Sequence, residues 1–136
     1  MQLTFYFDRC CGDRFPKAIK HANPPFEVEY HHGLGLRPDV KDDKWLSIVG
    51  KKGWIVLSHD KKFHRNAPEI ASIKQHNIGC FYLTGANSTT WENLENFIRS
   101  YRKMEEVVET KKKPFIYRVH KNGSIKKVPV SGESQA

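Results

Sequence analysis

Two short apolar runs in this chain each close on an aspartate. Leu3-Thr4-Phe5-Tyr6-Phe7 leads into Asp8, and Trp54-Ile55-Val56-Leu57-Ser58-His59 leads into Asp60. Such runs, bounded by polar residues, have the pattern of buried strands, and strands alternating with helical segments build parallel sheets. Parallel strands finish on one edge, so Asp8 and Asp60 are predicted at the carboxyl edge, where open α/β sheets carry their ligand sites. A third acidic site, Asp42-Asp43, precedes the helix-like Trp45-Leu46-Ser47-Ile48-Val49. Carboxylates clustered at one edge repel unless a cation joins them, so the pattern points to a metal site.

The intervening segments fill in the order. Residues 2 to 7 read as a strand, and Gly12 to His21 as a short helix with Phe15, Ala18 and Ile19 at helical spacing, stopped by Asn23-Pro24-Pro25. Phe26, Val28 and Tyr30 alternate with Glu27 and Glu29 as a half-buried strand, and His31 to Val40 is a loop. A helix starts at Asp42 and ends near Lys51-Lys52-Gly53, with cations and then glycine at its exit. Trp54 to Ser58 is the most apolar strand, hence central. Asn66-Ala67-Pro68-Glu69 opens a helix to about His76, and Cys80 to Leu83 is a fourth strand. Thr89-Thr90-Trp91-Glu92 is a capping box for the longest helix, reaching Val108. Phe115 to Val119 and Ser124 to Val130 then pair across Asn122-Gly123, which predicts a type I′ hairpin. The fold class is α/β, a mainly parallel sheet flanked by helices, with a C-terminal β-hairpin as an appendage or an antiparallel edge.

One domain accounts for 136 residues, a length at which roughly two thirds of the unfolded surface is buried. The domain proper is expected over 1–110, the basic hairpin extension over 111–130 and a frayed tail over 131–136. No apolar stretch approaches the ~20 residues of a membrane span, and no signal-peptide pattern opens the chain, so a cytoplasmic protein is expected. The cysteines Cys10, Cys11 and Cys80 form no CxxC or zinc spacing and read as packing.

The net charge of +8 is unevenly placed. Residues 1–98 carry 13 Lys/Arg against 11 Asp/Glu, whereas residues 99–127 carry 10 against 3, and all six aspartates fall within the first 60 residues. An acidic centre and a basic surface from different parts of the chain suit a nuclease, which binds phosphates with one and cuts with the other. A charged soluble surface with no polyanion partner would look the same.

Mg²⁺ and Mn²⁺ prefer carboxylate oxygens and water, and Asp8, Asp60 and one of Asp42 or Asp43 would supply them. A metal so held activates a water and neutralises a phosphodiester, so no covalent nucleophile is needed. No Gly-rich phosphate loop, GxSxG or HExxH is present. Asp42 alone also reads as a helix cap, and Asp43 as a favourable charge in the first turn. Arg9 could reach a phosphate or pair with the carboxylates. His59, the only histidine close enough in sequence to Asp60 to suggest acid/base work, points away from it by alternation, which favours a structural role. Lys61, Lys62 and Arg65 form a basic ridge for phosphates or a solvated face. Thr84 and Asn87 fall at the same predicted edge, to hold a water or phosphate or to build the turn. Tyr117, Arg118, His120, Lys121, Lys126 and Lys127 make the hairpin a single-strand platform or a cover for the sheet edge.

The stretches Phe7-Asp8-Arg9, Asp42-Asp43-Lys44-Trp45-Leu46 and Val56-Leu57-Ser58-His59-Asp60-Lys61 together resemble a PIN-like ribonuclease of the VapC toxin type, over about residues 1–105. The Pro114 to Val128 hairpin resembles an extension found on some such toxins. The resemblance implies Mg²⁺- or Mn²⁺-dependent endonucleolytic cleavage of RNA, restrained by a cognate antitoxin, with Asp8, Asp42 and Asp60 as ligands. A homodimer is compatible with it, and a membrane partner is not expected. Many PIN domains carry a fourth acid, whereas no aspartate follows Asp60 here. One tightly held ion, with Asn87 as the nearest polar stand-in, is the expectation.

Two other readings remain open. A phosphate-accepting receiver domain would use Asp8, Asp60 and Thr84, although its paired acids after the first strand and its lysine after a fifth parallel strand are not evident. A catalytically silent RNA- or antitoxin-binding module would share the fold without the chemistry.

Overall fold

The computed structural model describes residues 3–35, 42–59, 67–84 and 88–130, with 42, 43 and 67–69 described by backbone alone. The elements are β1 (Thr4–Phe7), α1 (Arg14–His21), β2 (Glu27–Tyr30), α2 (Asp42–Lys52), β3 (Ile55–Ser58), α3 (Ala67–Gln75), β4 (Gly79–Leu83), α4 (Thr90–Thr110), β5 (Phe115–Val119) and β6 (Ile125–Val128). Short 3-10 turns at Arg9–Cys11 and His32–Leu34 were not legible beforehand. The first delays α1 to Arg14, because Gly12 leaves the turn at φ +70° rather than opening a helix. No helix among the described residues is long and apolar enough to cross a membrane.

Six strands form one sheet in the order β2-β1-β3-β4-β5-β6. The first five are parallel, and β6 runs antiparallel to β5. The hairpin is therefore built into the sheet: β5 pairs with β4 from Gly79↔Phe115 to Leu83↔Val119. The turn departs from the expected type I′. His120 N donates to Ser124 O at 2.9 Å and Gly123 N to His120 O at 2.9 Å, leaving Lys121, Asn122 and Gly123 as a three-residue loop. Gly123 takes the positive φ of +89°, and Asn122 Oδ1 accepts from Ser124 N at 3.0 Å, which favours this longer turn. Because β5 is a fifth parallel strand, Lys121 does follow one, contrary to the expectation above.

Alternation along each strand supplies two apolar faces. Phe5, Phe7, Leu57, Phe81 and Phe115 pack with Phe15 and Ile19 of α1 and Phe97 and Met104 of α4. Tyr6, Val56, Cys80 and Ile116 turn the other way, onto Trp45, Leu46 and Val49 of α2 and Ile73 of α3. Each fully buried side chain of this size stabilises the fold by about 1.5–3 kcal/mol. Phe97 is the hub of the first face, its ring centroid 5.8 Å from that of Phe5, 6.0 Å from Phe7 and 5.9 Å from Phe26.

Local signals agree with this packing. Thr89 Oγ1 accepts from Glu92 N at 3.1 Å and Thr89 N donates to Glu92 Oε1 at 3.0 Å, completing the expected capping box of α4. These bonds hold the Glu92 carboxyl below the usual range. At the exit of α2, Gly53 adopts φ +71° after Lys51-Lys52.

Candidate active site

The ladder between β1 and β3 continues one residue past β1. Asp8 N donates to Leu57 O at 2.9 Å, which sets Asp8 beside Ser58 at the carboxyl edge. Both side chains fall on the α2/α3 face, in step with Tyr6 and Val56. There Ser58 Oγ donates to Asp8 Oδ2 at 3.3 Å. Asp8 is 6% exposed and Ser58 fully buried, so this pair looks out on very little solvent. Asp8 precedes the 3-10 turn in extended backbone, φ −59° and ψ 155°, and makes no side-chain capping bond to it. Its carboxylate is aimed at Ser58 and Cys10 instead.

Cys10 departs from the packing role expected of it. It is exposed, with Sγ 3.5 Å from Asp8 Oδ2 and 3.4 Å from Ser58 Oγ, and it accepts the His59 N–H at 3.2 Å. The 3-10 turn folds it back over the end of β3. Cys11 and Cys80 are buried core residues as expected. A hydrogen bond with Cys10, then burial, pushes the Cys11 thiol well up.

His59 is 4% exposed, and its ring centroid lies 6.5 Å from that of Phe15. Burial lowers its pKa below the ordinary 6.5, a hydrogen bond with the Thr84 backbone opposes this, and the charge of Lys121 lowers it further. A neutral, packed imidazole matches the structural reading. Lys121 thus stands close enough to the carboxyl edge to act on His59, which places the hairpin turn at the same end of the sheet as Asp8.

The remaining sequence-derived candidates divide clearly. Arg9 is exposed, one residue from Asp8. Thr84 follows β4 at the same edge and donates its N–H to Val119 O at 3.1 Å. Asp42 and Asp43 open α2, their side chains outside the described residues, as are Asp60, Lys61, Lys62, Arg65 and Asn87. Arg118 and Lys126 are directly paired across β5 and β6, while Lys127 sits opposite Tyr117 on the other face. Ser58 was missed, since a serine inside an apolar run carries no local functional signal.

Comparison of the sequence with known families decides the assignment: residues 3–85 match the profile of a PIN-like domain. The chain belongs to the PIN-like domain family. The match runs from β1 through β4 and covers Asp8, Asp42, Asp60 and Thr84; α4 and the β5–β6 hairpin lie beyond it. PIN-like domains are commonly nucleases. No curated protein and no solved structure matches the chain.

Among the described residues, no three His, Cys, Asp or Glu side chains gather as a metal site. Asp8 and Ser58 offer hard oxygen donors of the kind Mg²⁺ and Mn²⁺ take, whereas the neighbouring Cys10 sulfur suits softer ions. Asp8 is the one carboxylate that the described residues bring to this edge.

Proposed function

We propose that this PIN-like domain is a metal-dependent endoribonuclease, and within that class a VapC-type toxin of the cytoplasm held in check by a cognate antitoxin. The observation that carries the proposal is the buried Asp8 carboxylate at the carboxyl end of β1, held by the last residue of β3, in a chain of this family.

Asp8, Asp42 and Asp60 would hold Mg²⁺ or Mn²⁺, which when bound supplies a water of lowered pKa and neutralises charge on a phosphodiester. Ser58 Oγ donates to Asp8 Oδ2 and would orient the carboxylate toward the ion. Arg9, exposed and next to Asp8 in the chain, would take a phosphate oxygen. His59 is packed against Phe15, and burial favours its neutral form. With no aspartate after Asp60, the three aspartates would hold one ion tightly and leave a second to be recruited with the substrate, Asn87 being the nearest polar candidate to assist it.

Calorimetric titration with Mn²⁺ tests the ligand set. Asp8→Asn and Asp60→Asn are expected to lose most of the affinity while unfolding at unchanged or higher temperature, since each relieves a repelling cluster. Wild-type affinity in both would remove the proposed site.

One observation favours the receiver reading as an alternative. Strand β5 is a fifth parallel strand with Lys121 beyond it, which adds a lysine to Asp8, Asp60 and Thr84. The paired acids remain missing, because Arg9-Cys10-Cys11 follows Asp8. Transfer of phosphate from acetyl phosphate to wild type, but not to Asp60→Asn, would favour that reading.

A further inference from the structure

Helices α1 and α4 cover the sheet face opposite to the one that carries Asp8. Among the described residues, Trp91 and Ile98 of α4 are the large hydrophobic side chains left exposed, at 69% and 70%. They stand seven residues apart, about two turns, and so share one side of the helix. Neither belongs to the apolar cluster around Phe97. Together with Leu94 they line one wall of a groove whose other wall is Ala18, Ala22 and Pro25, from α1 and the turn after it. Apolar side chains gathered along an open groove mark an interaction surface.

The charges along this wall decide the occupant. Glu95 lies three residues before Ile98 and Arg102 four after it, a spacing that keeps all three on one side of the helix, and both charged residues line the groove. Read in the opposite direction, the stripe runs Arg102, Ile98, Glu95. An antiparallel copy therefore sets Glu95 of each chain against Arg102 of the other, with the two Ile98 side chains meeting between them. Arg102 Nη1 also donates to Glu105 Oε1 at 3.3 Å within its own helix, but its side chain stays 84% exposed, so a second carboxylate can reach it. The other wall agrees with this reading. Helix α1 exposes Arg14, Lys17, Lys20 and His21 and holds no acid, whereas α4 holds five Glu against three Lys/Arg. A basic helix beside an acidic one complements a second copy of the same pair. A foreign helix of a single charge sign would leave either Glu95 or Arg102 facing its like.

We infer that the α1/α4 groove is a two-fold interface between two copies of this chain, with Ile98 at the axis, the Glu95 and Arg102 contact made twice across it, and Trp91 covered toward each end. Pairing through α1 and α4 leaves the Asp8 side of the sheet uncovered and makes no use of the nuclease reading.

Analytical ultracentrifugation of the full chain reads the pairing directly, with neither metal nor RNA present. Wild type is expected to approach twice 15.8 kDa by about 100 µM. Each substitution strikes a two-fold interface twice. Ile98→Asp should therefore sediment as a monomer, and Glu95→Arg and Arg102→Glu should each weaken dimerisation at least about tenfold. All three should melt as folded proteins, because the side chains they replace are exposed. The double variant Glu95→Arg with Arg102→Glu exchanges the two charges and should return to within about threefold of wild type. Wild type that remains a monomer at about 100 µM would overturn the interface and leave the groove to a foreign partner. A dimer untouched by Ile98→Asp would put the pairing on another face, and weakened single variants with no recovery in the double variant would remove the register of Glu95 on Arg102; either result overturns the proposal.

Discussion

Ser58 Oγ stands 3.3 Å from Asp8 Oδ2, so the final residue of β3 holds the carboxylate that closes β1. These residues are 50 apart in sequence and meet only because β1 and β3 are parallel and in register from Phe5↔Ile55 to Phe7↔Leu57. Parallel strands can present neighbouring side chains at a common edge on one face, and here that geometry orients the group proposed to bind metal.

Replacing Ser58 with alanine removes this donor from a buried site. Stability should fall by about 1 kcal/mol, the net value of one hydrogen bond, and RNA cleavage by about tenfold as Asp8 loses its fixed rotamer. Urea unfolding and kcat/KM measured together check both. Unchanged kcat/KM would mean that Ser58 has no positioning role.

Protonation of His59 opposes folding. Its folded pKa is lowered, mainly by burial, while the unfolded chain takes up a proton near the ordinary value of 6.5. Its contribution to stability is therefore full above about pH 6.5 and declines as the pH falls from there toward the lower folded value. Urea midpoints of wild type and His59→Gln, followed from about pH 7.5 to 5, should converge in acid. Parallel curves would show that His59 is not the group responsible.

Truncation of Phe97 to alanine should cost about 3–5 kcal/mol, because its ring fills the space between α4 and the Phe5, Phe7 and Phe26 rings. The loss should appear in the urea midpoint with the m-value unchanged. A loss below about 1 kcal/mol would indicate that the layer between α4 and the sheet repacks.

Legibility followed the range of the interactions. The apolar runs of β1 and β3, the Thr89–Glu92 capping box and the Gly53 exit of α2 are local patterns, and they were readable where they occur. Asp8 was readable as an acid at the end of a buried strand. Ser58 was not, because its role comes from pairing with a strand distant in sequence. Cys10 looked like its buried neighbour Cys11; a 3-10 turn, not composition, separates them. Asn122-Gly123 marks the hairpin, but Ser124 closes a three-residue loop through His120 and Asn122 in place of a two-residue type I′ turn.

Cleavage of a mixed-structure RNA by purified wild-type protein and by Asp8→Asn, each with Mg²⁺, Mn²⁺ or EDTA, is the most direct test of the proposed function. Endonucleolytic products with wild type and either metal, lost with EDTA and at least about a hundredfold reduced in Asp8→Asn, are the expected result. Equal cleavage by both proteins, or cleavage that persists in EDTA, would contradict a metal-dependent ribonuclease built on Asp8.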